Sequence, residues 1–267
     1  MSVAGHPIVT RTAIFAPMPA SEADVVVALL ERAAPLVPGR AHLIVTPNMN
    51  HLAALQTSAV LGQAYTSSSM VLADGWPVVR LARALGVRVC RRTTGSGVVS
   101  RLAQTPGERR RLFVIGGTTP ASTSAAAVAF AEAGWIVGSE TAPAALLSGA
   151  EGMATLSRTL QDFDPDVVLV GLGSPKQELV AMNLIASTTT TAVFLCVGSA
   201  IDFLAGHKRR APLWMRRSGI EWLHRMCTEP GRLGARYSAD LLPFALVVLQ
   251  SLRAARERAS ERTGVKG

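Results

Sequence analysis

Asp74 is the residue most suited to chemistry in this chain. It ends the apolar run 70–73 and precedes Gly75, Trp76 and Pro77, a pattern that predicts a strand end turning into a helix. A carboxylate placed there can take a proton from a hydroxyl. The plainer alternative is an aspartate that only starts the helix, since Pro77 suits a first helical turn. Other polar and glycine residues stand at matching positions after apolar runs: Thr46 and Asn48 after 42–46, Gly116, Gly117 and Thr118 after 112–116, Gly171 and Gly173 through Glu178 after 167–171, and Gly198 and Asp202 after 193–198. Glycines there let backbone approach a phosphate at a helix N-terminus, although no GxGxxG or Walker A pattern is present. Pro175 predicts a helix whose first turn presents Lys176 and Gln177.

Other constellations are bland. Asp162, Asp164 and Asp166 have the spacing of a divalent-ion site for a nucleotide diphosphate, but they precede the run at 167 and so belong to the opposite end of that strand. The five histidines, His6, His42, His51, His207 and His224, make no metal spacing. Gly95-Ser96-Gly97 lacks the flanks of a hydrolase elbow. Cys90, Cys196 and Cys227 are too scattered for a disulfide framework or a zinc cluster, and a reducing compartment is expected. No metal site is expected.

The elements that must carry these residues read as an alternation. The apolar runs 42–46, 70–73, 112–116, 167–171 and 193–198 are predicted strands. Segments 48–62, 76–86, 97–105, 120–134, 152–162 and 175–187 are predicted helices. Strands that are apolar throughout and separated by helices imply an α/β fold with a Rossmann-like parallel sheet and helices on both faces. In such sheets ligands bind at the carboxyl ends of the strands, which is where the candidates above gather.

Charge divides the chain of 267 residues. Residues 207–267 hold 13 Lys/Arg against 5 Asp/Glu, a net of +8, whereas 1–206 hold 14 against 13, a net of +1. We therefore expect an α/β catalytic body over 1–206 and a basic helical C-terminal appendage over 207–267, with a helix expected at 218–229 and a last segment, 239–260, that is apolar first and charged later. Arg209, Arg210, Arg216, Arg217, Arg225, Arg232 and Arg236 recur there beside Trp214, Trp222 and the apolar run 241–249. Basic plus apolar is the composition of a membrane-surface element. The run is too short to span a bilayer, and no targeting segment is predicted at the N-terminus. With 49% hydrophobic and 17% charged residues, disorder is excluded.

Taken together and in order, the motifs resemble the bacterial WecG/TagA/CpsF family of glycosyltransferases. The matching stretches are Thr46-Pro47-Asn48, Ala73-Asp74-Gly75-Trp76-Pro77-Val78-Val79, Arg92-Thr93-Thr94-Gly95, Phe113-Val114-Ile115-Gly116-Gly117, Pro165-Asp166 through Pro175-Lys176-Gln177-Glu178, Val197-Gly198 through Asp202-Phe203, Arg210-Ala211-Pro212, Glu221-Trp222-Leu223 and Glu229-Pro230-Gly231-Arg232. The resemblance covers about residues 42–237. It implies inverting transfer of a hexose-type sugar (N-acetylmannosamine, its uronic acid or a related sugar) from a UDP-sugar to a polyprenyl-diphosphate-linked saccharide in cell-surface polysaccharide synthesis. It implies no obligatory metal or other cofactor, and a peripheral place on the cytoplasmic face of the inner membrane. By the same resemblance Asp74 is the catalytic base. Thr46, Asn48, Arg92, Gln177 and Asp202 line the donor pocket, with Gly116, Gly117, Gly171 and Gly173 in the phosphate-approaching loops. Arg210, Arg217, Arg225 and Arg232 lie in the segment that meets the acceptor diphosphate. The chain departs from the family pattern at Gly97, where an acidic residue is frequent, and over 237–252, which is less aromatic than usual.

The chemistry is coherent. An aspartate with an ordinary pKa of about 3.9 is ionised at neutral pH and can accept the proton of an attacking hydroxyl. Backbone N–H groups and arginines can stabilise the departing diphosphate. The rival reading is a nucleotide-binding α/β module whose basic tail grips nucleic acid; only 5% of residues are aromatic and no RNA- or DNA-binding module is recognisable. An oxidoreductase is disfavoured by the missing dinucleotide fingerprint.

Overall fold

A computed structural model describes residues 21–32, 36, 38–85, 92–141, 149–208, 211–212, 214–215, 221, 224, 227, 231 and 242–253. Within these, six strands form one parallel sheet: β1 (His42–Val45), β2 (Met70–Val71), β3 (Arg111–Gly116), β4 (Ile136–Glu140), β5 (Val167–Gly171) and β6 (Val193–Cys196), in the order β2-β1-β6-β5-β3-β4. The α/β class expected from the alternation is the one observed. β4 is an addition. It lies at the edge of the sheet, with Ile136 and Ser139 exposed, so its sequence is not the continuous apolar run of a strand covered on both faces.

The central strands bury alternate side chains in two separate cores. Leu43, Val45, Phe113, Ile115, Val168, Val170, Phe194 and Cys196 face one layer. Ile44, Leu112, Val114, Val167, Leu169, Val193 and Leu195 face the other. Each such side chain contributes roughly 1.5–3 kcal/mol when taken fully from water, which is why these strands read as apolar without alternation.

The first core is covered by α2 (Met49–Ala54), α3 (Ala59–Ser67), α4 (Trp76–Ala84), α7 (Ala150–Phe163) and α8 (Lys176–Ser187), and the second by α1 (Glu22–Glu31), α5 (Gly95–Ala103), α6 (Pro120–Glu132) and α9 (Ala200–Leu204). The single helix expected over 48–62 is two helices. Ser58 caps the second, its Oγ accepting from Leu61 N at 3.3 Å, and that helix runs on to Ser67. Helix α1 also goes beyond the expectation. Three successive valines, Val25–Val27, argue against a helix by propensity, but Ser21 caps it and Val25, Val26 and Leu29 are buried. Arg32, its C-cap, donates to the carbonyls of Thr191 at 2.7 Å and Asp166 at 3.0 Å, tying the helix end to the amino edge of the sheet.

Of the appendage, Glu221, His224 and Cys227 are helical and residues 242–253 form a helix; much of the 218–229 expectation and the rest of 239–260 lie outside the described residues. Val247 belongs to the first core, with Phe244 and Val248 packed against it. Leu242, Leu246 and Leu249 on the same helix are exposed.

The winding reverses between β3 and β5. From β3 the chain passes through α6, over the second core, outward to β4; from β5 it passes through α8, over the first core, in the other direction to β6. β3 and β5 are neighbours, so the two connections diverge and leave a crevice at their carboxyl ends. Gly116 and Gly171 are register partners at that point. Gly116 has φ +102°, and a Cβ there would meet the Gly171 carbonyl oxygen at 2.7 Å. Gly116→Ala adds backbone strain to a backbone clash and is expected to lower stability by about 2–4 kcal/mol, read as a fall in the urea midpoint; an unchanged midpoint would show that the two strand ends can move apart freely.

Candidate active site

The carboxyl edge is knitted strand by strand. Leu72 N donates to Val45 O at 2.8 Å and Asp74 N to Pro47 O at 2.9 Å, so the ends of β2 and β1 run on together past the regular ladder. Thr93 N donates to Ala73 O at 3.2 Å, laying the Arg92–Thr94 stretch beside the end of β2. Thr94 then caps α5 through Gly97 N at 2.9 Å. A Cβ at Gly97 would collide with the carboxyl group of Glu22 in the first turn of α1, so at this departure from the family pattern the space is taken by a carboxylate from another helix.

Asp74 is half-buried. The N-cap of α4 is Gly75, at φ +115° and with no side-chain cap. Gly75, rather than Asp74, thus stands at the N-cap position of that helix. Thr46 is buried, its Oγ1 donating to Cys196 O at 2.8 Å, which joins the ends of β1 and β6. Asn48 caps α2. Its Oδ1 accepts from Asn50 N at 3.0 Å and His51 N at 3.3 Å, while His51 Nδ1 accepts from Asn48 N at 3.1 Å. Burial pushes the Cys196 thiol well up, with Glu178 adding to the effect, so Cys196 is no thiolate nucleophile.

The remaining candidates cluster about β3, β5 and β6. Gly117 N approaches Gly171 O at 3.4 Å. Asp202, in α9, is buried and clamps the loop after β3: Thr118 N donates to its Oδ1 at 2.8 Å, Thr118 Oγ1 to its Oδ2 at 2.6 Å, and Lys208 Nζ lies 3.4 Å from Oδ2. Gln177 N donates to Gly173 O at 3.0 Å, and the buried Gln177 side chain accepts from Gly198 N at 2.9 Å. Thr46, Asn48, Asp74 and Arg92 thus form one group about β1 and β2, and Gly116, Gly117, Gly171, Gly173, Gln177 and Asp202 another; Thr46 meets β6 between them.

Arg92 pairs with Glu221 of the appendage at 3.3 Å, both side chains only about one-seventh exposed. The pairing was invisible in the sequence, 129 residues apart, as was the Thr118–Asp202 clamp. Arg210, Arg217, Arg225 and Arg232 lie outside the described residues. At the opposite edge Asp166 Oδ2 accepts from Arg111 N at 2.8 Å and Asp164 is the left-handed C-cap of α7. Among the described residues no group of three His, Cys, Asp or Glu is placed to hold a metal ion.

Burial pushes the Asp202 carboxyl up, but the hydrogen bonds from Thr118, with Lys208 and Ser122, outweigh it and hold the group below its ordinary 3.8. A depressed native value adds stability above the unfolded value and loses it as pH falls through the native one. Asp202→Asn is expected to lower stability at neutral pH by about 1–3 kcal/mol. The gap from the parent should narrow as pH is taken below 3.8. Urea midpoints measured at neutral and acid pH check this, and a constant gap would contradict it.

Comparison with known proteins agrees with the sequence motifs. The family profile described as "Glycosyl transferase WecG/TagA/CpsF family" matches residues 16–258. An N-acetylglucosaminyldiphosphoundecaprenol N-acetyl-beta-D-mannosaminyltransferase of Bacillus subtilis (strain 168) is 26% identical over 190 residues, 69% of this chain and 70% of the relative. The protein of the same name from Staphylococcus aureus (strain NCTC 8325 / PS 47) is 33% identical over 92 residues, 34% of this chain and 36% of the relative, so that match spans about a third of either protein. With the profile covering most of its length, this chain belongs to the WecG/TagA/CpsF family of glycosyltransferases.

Proposed function

We propose that the chain catalyses inverting transfer of a hexose-type sugar, N-acetylmannosamine or a close relative, from a UDP-sugar to a saccharide carried on a polyprenyl diphosphate, in cell-surface polysaccharide synthesis. The observation that carries this reading is a half-buried carboxylate, Asp74, at the carboxyl edge of the sheet, directly before the N-cap position of α4. The names of the Bacillus and Staphylococcus relatives support the acceptor class and the sugar.

In this reading a hydroxyl oxygen of the acceptor saccharide attacks the anomeric carbon as Asp74 takes its proton. The bond from that carbon to the diphosphate oxygen breaks, and its electron pair leaves with UDP. A single displacement inverts the anomeric configuration. Thr46, Asn48, Arg92, Gln177 and Asp202 line or brace the donor pocket, and the loops at Gly116, Gly117, Gly171 and Gly173 offer backbone N–H groups to the diphosphate. The acceptor diphosphate is assigned to Arg210, Arg217, Arg225 and Arg232.

The reaction is proposed to need no divalent ion, because Asp162–Asp166 serve a turn and a backbone hydrogen bond at the far edge of the sheet. The appendage is proposed to hold the protein peripherally on the cytoplasmic face of the inner membrane. Among the described residues no helix is long and apolar enough to cross a membrane, while Trp214, Leu242, Leu246 and Leu249 are exposed within a segment of net charge +8.

Asp74→Asn is expected to lower turnover of a UDP-sugar with a synthetic lipid-diphosphate acceptor by about 10²–10⁴-fold, the usual range for losing a general base, with UDP binding kept. Turnover of the parent should survive EDTA. Near-normal turnover in a folded Asn variant removes Asp74 from the reaction, and loss with EDTA restored by magnesium removes the metal-free mechanism. Replacing Arg209, Arg210, Arg216 and Arg217 together by Glu is expected to abolish co-sedimentation with phosphatidylglycerol vesicles, since each basic residue near an anionic surface contributes about 1 kcal/mol. Undiminished co-sedimentation would deny those arginines a membrane role.

A further inference from the structure

Glu178 is a carboxylate that the proposed reaction does not use. It sits in the first turn of α8 with no exposed surface. Its Oε1 accepts from Gln177 Nε2 at 2.9 Å, and its Oε2 has no hydrogen-bond partner. Helix α8 packs against α3, which carries Tyr65, and the Tyr65 hydroxyl is likewise buried without a partner. Buried polar atoms are nearly always paired, and a buried carboxyl group with one oxygen unpaired carries a desolvation cost that an apolar residue of similar size would not. Stability alone therefore gives no reason for a carboxylate here. Features that stability does not favour collect where function needs them.

What the carboxylate does to its neighbour is specific. A carboxylate only accepts hydrogen bonds, so the NH2 end of Gln177 must face Glu178 and the amide oxygen must face away from it. That oxygen accepts from Gly198 N at 2.9 Å. Gly198 has φ +55° and forms the turn from β6 into α9. Helix α9 carries Asp202, which clamps Thr118 in the loop after β3. One buried carboxylate thus stands at the head of a hydrogen-bond series through the loops after β5, β6 and β3.

We propose that Glu178 is a positioning residue: by fixing the Gln177 amide it holds the Gly198 turn, and with it the donor side of the carboxyl edge, in working geometry. The geometric half of this inference stands alone; the half concerning turnover rests on the proposed transferase reading.

The test uses the full chain with Glu178→Leu and Glu178→Gln. It reads thermal unfolding, amide exchange of Gly198, and kinetics with a UDP-sugar and a lipid-diphosphate acceptor. In Glu178→Leu the melting temperature should change little, because relief of the unpaired Glu178 Oε2 offsets the lost acceptor of Gln177 Nε2; Gly198 exchange should quicken by about 10-fold as one of the two amide anchors is lost, and kcat/KM should fall by about 10–100-fold, mainly through donor KM, as expected of a displaced binding loop. Glu178→Gln keeps an oxygen that can accept from Gln177, so its exchange and kinetics should stay within about 3-fold of the parent, a difference worth under 1 kcal/mol.

Unchanged Gly198 exchange in the Leu variant overturns the proposal, whatever the kinetics. So does a Gln variant as impaired as the Leu variant, which would make the charge itself the requirement. A Leu variant that fails to fold, or whose activity falls only in step with its melting temperature, assigns Glu178 to stability and overturns it as well. A parent that turns over no UDP-sugar sinks the transferase reading alone, and the exchange measurement still decides the role of Glu178.

Discussion

The reversal of winding between β3 and β5 is the constraint on which the site depends. Crossover connections in parallel sheets keep one hand, so two adjacent strands whose chains leave in opposite directions must send their helices to opposite faces. α6 and α8 do this. The space between their starts is the crevice, and close approach of the strand ends beneath it requires residues without side chains. Gly116 and Gly171 meet there in register. A single methyl group on either strand end would fill the space the backbone now uses: at Gly171 a Cβ would meet the Gly198 carbonyl at 2.8 Å and the Ile201 side chain. Gly116 and Gly171 are thus the residues that let the strand ends close beneath the crevice.

Around that crevice the polar groups divide their work. Many residues that the family resemblance assigns to a pocket are also structural: Thr46 ties β1 to β6, Asn48 starts α2, Gln177 holds the Gly198 turn and Asp202 clamps Thr118. Such bonds lock the loops before any substrate arrives, and a site whose dipoles are already oriented need not reorganise as charge develops. Asp74 extends the β1–β2 pairing through its backbone N–H, with Gly75 at the N-cap position of α4.

How far this could be read from sequence follows from what each feature needs. Strands covered on both faces announce themselves as apolar runs, and β1, β2, β3, β5 and β6 were legible for that reason. β4 escaped because its faces are partly exposed, unlike those of β2 at the other edge, and Gly138 and Ser139 break its run. The break between α2 and α3 was written in Gln56-Thr57-Ser58, a cap signal inside an otherwise continuous apolar pattern. Asp74 was legible because a strand end, a glycine and a proline follow one another locally. The Arg92–Glu221 pair and the Thr118–Asp202 clamp were not, since each joins residues distant in sequence and only the folded sheet brings them together. Glu178 was hidden differently: a charged residue beside Lys176 and Gln177 in a first helical turn reads as solvated, and only its burial shows otherwise.

The Arg92–Glu221 pair bears on how the appendage relates to the body. The tail carries a large excess of positive charge over a nearly neutral body, so long-range electrostatics alone gives it no preferred seat there. Register must come from short-range contacts. One is apolar, Val247 in the first core. Another is Glu221, one of only five acidic residues in the tail, set against Arg92 beside the end of β2. A mostly shielded ion pair fixes orientation better than it adds stability, because desolvation offsets much of the attraction. This contact uses an acid of the tail and a base of the body, while Lys208 pairs with Asp202 of the body in the opposite sense. The segment richest in positive charge thus meets the carboxyl edge through its minority charge at Glu221 as well as through the cation of Lys208.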